Sequence, residues 1–352
     1  MKFGGKIKYL NPKLKRILYW GIATAILLFA PFCGKEAPME PGNCFEAGPI
    51  LFVSDKSGLW QLYSMNTDGS NVKQLTFDPN FPVDEARWSP DGKKIVFTSM
   101  DDRVAPNQRG RALYVMNADG TERYKLTNPP FEAFHYPFDT RPVWSDDGKR
   151  IAFSRLMPPE MSGDFDTFMI DVDGKNELRI TNYRNLLEFV TAFVNDSTLL
   201  GTYCDYRRPD QKGQIAYLDI RTGNYFKTIS PYEKDDSSPV LSLDKRSVAF
   251  SSLTTKDGLR GRFLNLMESD GSNRRQFFIS SRQYEYPVEW SPDGQRILCI
   301  TQDPNVKSDP NDPYSNFLQD ILIVSVEDSS VRIITPFPYR EAYSTATSWR
   351  RR

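Results

Sequence analysis

The chain contains the stretch Trp88-Ser89-Pro90-Asp91-Gly92, and the phrase returns as Trp144-Ser145-Asp146-Asp147-Gly148 and Trp290-Ser291-Pro292-Asp293-Gly294. Each copy is followed by two basic or polar residues and then by an apolar run. In this phrase Pro suits the second position of a type I turn, and Gly suits a left-handed residue before the next strand. A phrase that recurs along a chain indicates a repeat architecture, and it decides the fold before any single residue is interpreted.

Two further phrases complete the repeat. A second Asp-Gly turn occurs at 63–69, 114–120 and 266–271, and a basic-apolar ending that closes on Thr or Ser occurs at roughly 50-residue intervals. These endings are Thr76, Thr127, Thr181, Ser230, Ser280 and Thr335. Between the turns, Val, Ile, Phe and Tyr alternate with polar residues, which is typical of half-buried strands. The pattern predicts an all-β, six-bladed β-propeller whose blades each have four antiparallel strands, lettered a to d in chain order.

The register of the repeat predicts how the ring closes. The first apolar run, 50–54, matches strand b of the other repeats, whereas the last one, 344–349, reads as a strand a up to its Trp. We expect this C-terminal strand to pair with the N-terminal strands, because an open ring would expose an unpaired sheet edge. The third and fourth repeats are degenerate at 193–197 and 241–245, and the count of six depends on accepting them.

These phrases resemble the propeller repeats of the TolB family, the periplasmic components of the Tol-Pal system, and of related WD-like bacterial propellers. The resemblance covers nearly everything from residue 50 onward. It implies a propeller that binds an envelope protein, with a peptidoglycan-associated lipoprotein as one candidate partner. TolB proteins have an α/β domain before the propeller, and we expect this chain to lack it. The repeated residues are turn formers and packing groups, so the resemblance is more specific for fold than for function.

The first 33 residues have a different character. They hold six basic residues and no acidic residue, followed by an apolar run from 17 to 32 that ends at Cys33. This order is typical of an export signal. We expect residues 1–33 to be a signal or anchor, 34–49 a flexible tether and 50–352 the propeller. Cys33 is the predicted lipidation site, although Phe32 departs from the small residue usual before a lipidated cysteine, and an uncleaved anchor or a plain cleaved signal stay open.

The composition limits the partners and the chemistry. Without the signal, 39 basic residues face the 45 acidic ones, a balance that disfavours nucleic acid. We therefore expect an exported protein, periplasmic or at the outer surface, tethered to a membrane. Cys204 and Cys299 fall in the b strands of non-adjacent blades, so no disulfide is expected between them. A single histidine, His135, weighs against a histidine metal cluster or a Ser-His-Asp triad, and we predict no cofactor and no metal.

Loop length is predicted to differ between the two faces of the ring. The a–b and c–d connections are tight turns on one face, whereas the b–c and d–a connections on the other are long. The predicted long segments are 100–111, 156–165, 205–213, 253–262, 302–316, 128–140 and 336–343. Because binding residues concentrate on such loops, the long-loop face is the predicted binding face.

Candidate binding residues lie at the channel mouth and on this long-loop face. They are Asp84, Glu85, Arg87, Phe134, His135, Tyr136, Asp139, Arg141, Glu285 and Glu289. Two competing interpretations accompany them. Arg87, Arg141, Glu285 and Glu289 would pair with one another in a narrow polar channel, and the aromatic loop around His135 would fold onto its own blade. The Trp residues of the repeat are predicted to pack between blades.

Two functions compete on this evidence. The first is a non-catalytic scaffold at the bacterial cell envelope that binds a protein or peptide. The alternative is a glycan- or small-ligand-binding propeller, or a propeller lyase or glycosidase that uses carboxylates at the channel mouth. The shortage of histidines counts against a lyase with a histidine-bound metal.

Overall fold

The computed structural model describes residues 49–100, 110–129, 138–157, 164–256, 258–277, 284–307, 317–335 and 344–350. These residues form 24 strands: β1 (Ile50–Ser54), β2 (Gln61–Met65), β3 (Lys73–Gln74), β4 (Val83–Trp88), β5 (Lys94–Met100), β6 (Arg111–Asn117), β7 (Tyr124–Lys125), β8 (Phe138–Trp144), β9 (Arg150–Leu156), β10 (Phe165–Asp171), β11 (Leu178–Arg179), β12 (Leu186–Asn195), β13 (Thr198–Asp205), β14 (Gly213–Asp219), β15 (Asn224–Thr228), β16 (Asp236–Leu241), β17 (Ser247–Lys256), β18 (Leu259–Glu268), β19 (Arg275–Gln276), β20 (Tyr284–Trp290), β21 (Arg296–Lys307), β22 (Phe317–Ser325), β23 (Val331–Ile333) and β24 (Ser344–Trp349). Within these ranges there is no helix that is long and apolar enough to cross a membrane.

The strands pair as antiparallel groups of four. Blade 1 has the order β24-β1-β2-β3, and blades 2 to 6 are β4–β7, β8–β11, β12–β15, β16–β19 and β20–β23. Single parallel contacts join blade 2 to blade 3 at Arg111 and Phe138, and blade 5 to blade 6 at Arg262 and Tyr284. The predicted all-β propeller is confirmed.

The two ends of the described propeller meet in blade 1. β24 pairs antiparallel with β1, so that Ile50 lies opposite Trp349 and Ser54 lies opposite Ser344. The predicted closure of the ring is therefore observed, and β24 supplies the strand a that blade 1 would otherwise lack.

The hydrophobic core is divided among the seams between blades. Each of six buried clusters combines side chains from two neighbouring blades. In one of them Trp144 of blade 3 packs with Val96 and Leu113 of blade 2, and in another Trp349 of blade 1 packs with Leu298 of blade 6. The Trp144 indole N–H also donates to the Arg87 carbonyl at 3.2 Å. The Trp residues are thus core groups of the seams, as predicted.

The Trp-Ser-Pro-Asp-Gly phrase builds a turn with its own hydrogen bonds. Asp91 accepts from the Ser89 hydroxyl at 2.7 Å and from the Lys93 N–H at 3.0 Å. Gly92 is left-handed, with φ at +66°. In the degenerate blade 5, Lys245 takes the glycine position with φ at +63°, and Asp244 still accepts from the Ser242 hydroxyl at 2.6 Å. The Ser-Asp pair therefore keeps the turn where Trp and Gly are both lost.

The glycine of the c–d turn is required by the close approach of the preceding blade as well as by its left-handed backbone. Gly120 has φ at +92°, and a Cβ added there would lie 2.7 Å from the carbonyl oxygen of Leu75 in the preceding blade. Gly223 and Gly271 likewise face the backbone of Ile180 and Ile229, at 2.2 and 2.6 Å. Such distances leave no space for a side chain, so these glycines set how closely adjacent blades approach.

The Thr and Ser endings of strand d have a common bonding role. In the five endings that lie within the described ranges, the side-chain oxygen accepts a backbone N–H from strand c of its own blade, as Thr127 does from Leu113 at 2.9 Å and Ser230 from Ile215 at 2.8 Å. Strand d is short, so these N–H groups lie beyond its backbone ladder. A buried N–H needs an acceptor, and the hydroxyl supplies it.

One predicted long loop is absent, and another, predicted at 302–316, is shortened because β21 continues to Lys307. The segment from Leu253 to Arg262 was expected to be an extended connection, but β17 and β18 pair along it as far as Lys256 and Leu259. The prediction was wrong because the polar composition of this segment concealed a long two-stranded hairpin. The predicted long connections after β5 and β9 lie largely outside the described residues, at 101–109 and 158–163.

Candidate functional site

A cavity of about 490 Å³ occupies the channel at the centre of the blades. Strand a of blades 2 to 6 contributes most of its lining, beginning with Asp84, Arg141, Val190, Ser238 and Tyr286. The lining extends to Trp88, Pro90 and Asp146, so the cavity continues to the turns that follow strand a. A volume of this size is in the range of small-molecule and peptide side-chain sites.

The predicted site residues fall into three groups. Asp84, Glu85, Arg87, Arg141 and Glu289 line the cavity together. Asp139 and Glu285 are fully buried at the start of their strands and do not line it. The aromatic loop with Phe134, His135 and Tyr136 lies outside the described residues.

Asp139 and Glu285 belong to a recurring buried position. In blades 3 to 6 an acidic residue stands five residues before the last large apolar residue of strand a, and all four side chains are inaccessible: Asp139, Glu188, Asp236 and Glu285. Asp139 is paired with Arg155 at 2.6 Å and Asp236 with Arg274 at 2.6 Å. Glu285 accepts the Leu264 N–H at 3.1 Å. This position therefore fastens strand a to strands of its own or the preceding blade.

Glu85 holds a strained residue of the next blade. Its Oε2 accepts from the Arg141 N–H at 2.7 Å and from the Thr140 hydroxyl at 3.1 Å. Arg141 has φ at +53°, which is uncommon for a residue with a side chain. Its guanidinium lies 4.0 Å from the centre of the Phe189 ring. Strained backbone that neighbours fix on both sides is a feature of binding and catalytic sites.

Glu289 fastens the last strand. Its Oε2 accepts from the Ser348 hydroxyl at 2.8 Å and from the Trp349 N–H at 3.0 Å. Both donors belong to β24 of blade 1, whereas Glu289 belongs to blade 6. The carboxylate therefore bridges the seam at which the ring closes.

The expected pairing among the four channel residues is not what the structure shows. In the ranges that the structure describes, none of Arg87, Arg141, Glu285 and Glu289 forms an ion pair with another member of the set. The carboxylates bind backbone N–H groups and hydroxyls instead. The N–H groups of Arg141 and Trp349 belong to strand a of the following blade, and the Leu264 N–H belongs to strand c of the preceding blade.

A lysine reaches across the turn end of the channel. Lys245 of blade 5 donates to the Phe193 carbonyl of blade 4 at 2.8 Å and lies 3.2 Å from Asp146 of blade 3. Its left-handed backbone, at the position of a glycine in the regular phrase, directs this contact.

Burial shifts the pKa of several groups around the channel. It raises the pKa of Asp84, an effect that the nearby Arg111 guanidinium opposes. It lowers the pKa of Arg141, opposed by Glu85 and reinforced by the charge of Arg87. At Glu188, burial raises the pKa to about 8. The Thr181 hydroxyl, 2.5 Å away, opposes this shift.

Sequence reasoning missed several residues of the cavity lining. They include Ser238, Pro239, Tyr286 and Pro287, which stand two to four residues before the end of their strands. Their position in the repeat could have identified them. When the strands a are aligned on their final large apolar residue, each of the four falls at the position of Glu85 and Arg141 or next to it. No group of three or more His, Cys, Asp or Glu that could hold a metal ion is present within the described ranges.

Comparisons with known proteins agree with this geometry. The structure of TolB from Acinetobacter baumannii superposes with a TM-score of 0.60 at 19% identity, over 86% of this chain and 66% of that one. The Tol-Pal system protein TolB of Alcanivorax borkumensis is 31% identical over 108 residues, which are 30% of this chain and 22% of its relative. The chain contains a TolB-like β-propeller. No protein-family model matches it.

The TolB-like propeller is also similar to part of a peptidase. The uncharacterized peptidase YuxL of Bacillus subtilis is 24% identical over 206 residues, or 57% of this chain and 26% of that protein. The chain therefore spans about a quarter of the length of these two curated relatives. What the TolB-like propeller shares with them is its fold, and neither activity is carried over by the similarity.

Proposed function

We propose that this chain is a non-catalytic scaffold that binds an envelope protein or peptide at the mouth of its channel and on its long-loop face. The cavity of about 490 Å³ is the observation that carries the proposal. Its lining alternates charged side chains with Pro, Val and Tyr, a composition that suits a peptide segment better than a purely polar ligand.

The bonding of the channel carboxylates favours binding over catalysis. A glycosidase or lyase needs carboxyl groups that are available to accept or donate a proton to substrate. Glu85 and Glu289 are instead engaged by backbone N–H groups and hydroxyls of neighbouring strands. Asp84 pairs with Arg111. These bonds assign the three carboxylates a structural role rather than a catalytic one.

The proposed location is outside the cytoplasm, with the propeller tethered to a membrane. Support comes from the basic and apolar order of residues 1–33 and from the TolB-like propeller itself. Lipidation of Cys33 is the proposed form of the tether, and a peptidoglycan-associated lipoprotein is a candidate partner. Metabolic labelling with palmitate tests the tether: the wild type should be labelled and Cys33→Ala should not, whereas equal labelling would contradict it.

Site-specific photocrosslinking tests the binding function. A photoreactive benzoylphenylalanine replaces Tyr286 in the channel lining, and in a matched control it replaces Phe226, which is 59% exposed on β15. In living cells the channel variant should cross-link to one envelope protein, and the control should not. Cross-linking that is absent, or equal from both positions, would contradict the proposal. Retention of oligosaccharides by the purified chain without any protein partner would favour the glycan alternative.

A further inference from the structure

Two arginines line the channel and form no ion pair within 4 Å among the described residues. The Arg87 guanidinium donates to the carbonyl of Ala86 at 3.1 Å, and the Arg141 guanidinium stacks over Phe189. Both side chains are half-buried and belong to the same cavity lining. They come from strand a of adjacent blades, with Arg87 one residue and Arg141 three residues before the Trp that ends the strand, and the charge of Arg87 acts on Arg141.

The acidic residues of the same lining are already engaged. Asp84 pairs with Arg111 of strand c, and Asp146 lies 3.2 Å from the Lys245 ammonium. Glu85 and Glu289 accept backbone N–H groups of the following blade. The cavity therefore offers guanidinium donors to a ligand, while its carboxylates are bound within the protein.

The backbone of Arg141 indicates that its placement is imposed. The residue is left-handed, its N–H is held by Glu85 at 2.7 Å, and its side chain rests on an aromatic ring. Fixing the side chain before a ligand arrives reduces the entropy lost on binding. Arginine presents planar donors that match both oxygens of a carboxylate, and the match is stronger in a water-poor channel.

We propose that Arg87 and Arg141 form a carboxylate-binding subsite, which receives an acidic side chain or the C-terminal carboxylate of a peptide in the channel. That the ligand is a peptide rests on the proposed function. That the subsite binds a carboxylate is inferred from the two arginines alone. A cavity of about 490 Å³ admits a short peptide segment next to the subsite.

Matched peptide libraries test the subsite with the purified full-length chain. Two libraries of octapeptides have the same random composition, but one has Glu and the other Gln at a fixed central position. Each is prepared with a free and with an amidated C-terminus. Retained peptides are quantified by mass spectrometry, and the best sequence is then titrated against the wild type, R87Q, R141Q, R87Q/R141Q and R141K.

The wild type should retain Glu peptides, or free C-termini, at least about tenfold better than their uncharged counterparts, as expected for a charge-assisted pair. R87Q/R141Q should lose this preference, and R141K should recover part of it because the charge returns without the planar fork. R332Q, which removes an exposed arginine of β23, is the matched control and should bind like the wild type. Thermal unfolding of each variant separates lost binding from lost folding.

Several outcomes would overturn the inference. Equal retention of Glu and Gln peptides would do so, as would an unchanged preference in folded R87Q/R141Q. If galacturonate trimers were retained through the two arginines and no peptide were retained, the carboxylate would come from a sugar acid and not from a peptide. That result would contradict the proposed function, whereas the carboxylate-binding subsite would stand. Cross-linking from position 286 that persists in R87Q/R141Q would leave the proposed function intact and would count against the subsite.

Discussion

The carboxylate of Glu289 accepts a hydrogen bond from the backbone N–H of Trp349 at 3.0 Å, across the seam between blade 6 and blade 1. The same oxygen accepts from the Ser348 hydroxyl. Trp349 is fully buried and lies opposite Ile50 in blade 1. One side chain of the last blade thus holds the strand that completes the first blade, and the stability of the ring should depend on it.

Replacing Glu289 should weaken ring closure. Glu289→Ala leaves the Trp349 N–H without this acceptor, and a buried unsatisfied donor costs about 1–3 kcal/mol. Glu289→Gln keeps an acceptor oxygen and should lose less. The free energy of unfolding, measured by denaturant titration, checks both. Glu233→Ala, at an exposed position, is the control. Equal losses for the Ala and Gln variants would contradict a role as hydrogen-bond acceptor.

The two kinds of turn glycine should differ in their tolerance of alanine. Gly294→Ala meets no atom within 4 Å and should lose only the roughly 1–2 kcal/mol of a left-handed residue. Gly120→Ala adds a Cβ at 2.7 Å from the Leu75 carbonyl oxygen, so it should lose about 1–3 kcal/mol more as the blades move apart. Unfolding free energies of both variants provide the test. An equal loss would show that blade spacing is not limited at Gly120.

The hydroxyl at the end of strand d should matter more than its methyl group. Thr127→Val keeps the shape but removes the acceptor of the Leu113 N–H, and we expect a loss of about 1–3 kcal/mol. Thr127→Ser keeps the hydroxyl and is the matched control, with a smaller loss expected from the missing methyl group. Denaturant unfolding distinguishes them. A Ser variant that is as unstable as the Val variant would assign the role to packing.

Glu188 should make the propeller less stable as the pH rises. Its pKa is raised to about 8 in the folded protein from an ordinary 4.5. Folding therefore favours the protonated carboxyl, whose contribution is complete below pH 4.5 and is lost as the pH rises to about 8. Glu188→Gln, which stays neutral, should remove this part of the pH dependence. Its advantage over the wild type should grow between pH 5 and 9 to on the order of 2–4 kcal/mol.

Unfolding titrations at pH 5, 7 and 9 measure this difference. Glu233→Gln, at an exposed position, should follow the wild-type pH profile. Parallel profiles for Glu188→Gln and the wild type would show that Glu188 is ionised in the folded protein at neutral pH.

The candidate site was predicted in part. The position of Asp84, Glu85, Arg87, Arg141 and Glu289 around the channel followed from their place on strand a, and they do share one cavity. Their bonding was not predicted, because it depends on which backbone N–H groups of the neighbouring blade, such as those of Arg141 and Trp349, lie beside each carboxylate. Asp139 and Glu285, one or two strand positions away from the lining, proved to be fully buried.

The sequence by itself determined the repeat, the turns and the closing strand, because each depends on residues that are close together in the chain. Ser89 and Asp91 build their turn within five residues, and the Trp that ends 344–349 identified β24 as a strand a. Only the tertiary structure decided which charges are available in the channel. Glu85 and Arg141 are 56 residues apart, and whether a carboxylate binds a guanidinium or a backbone N–H depends on distances that no local pattern encodes.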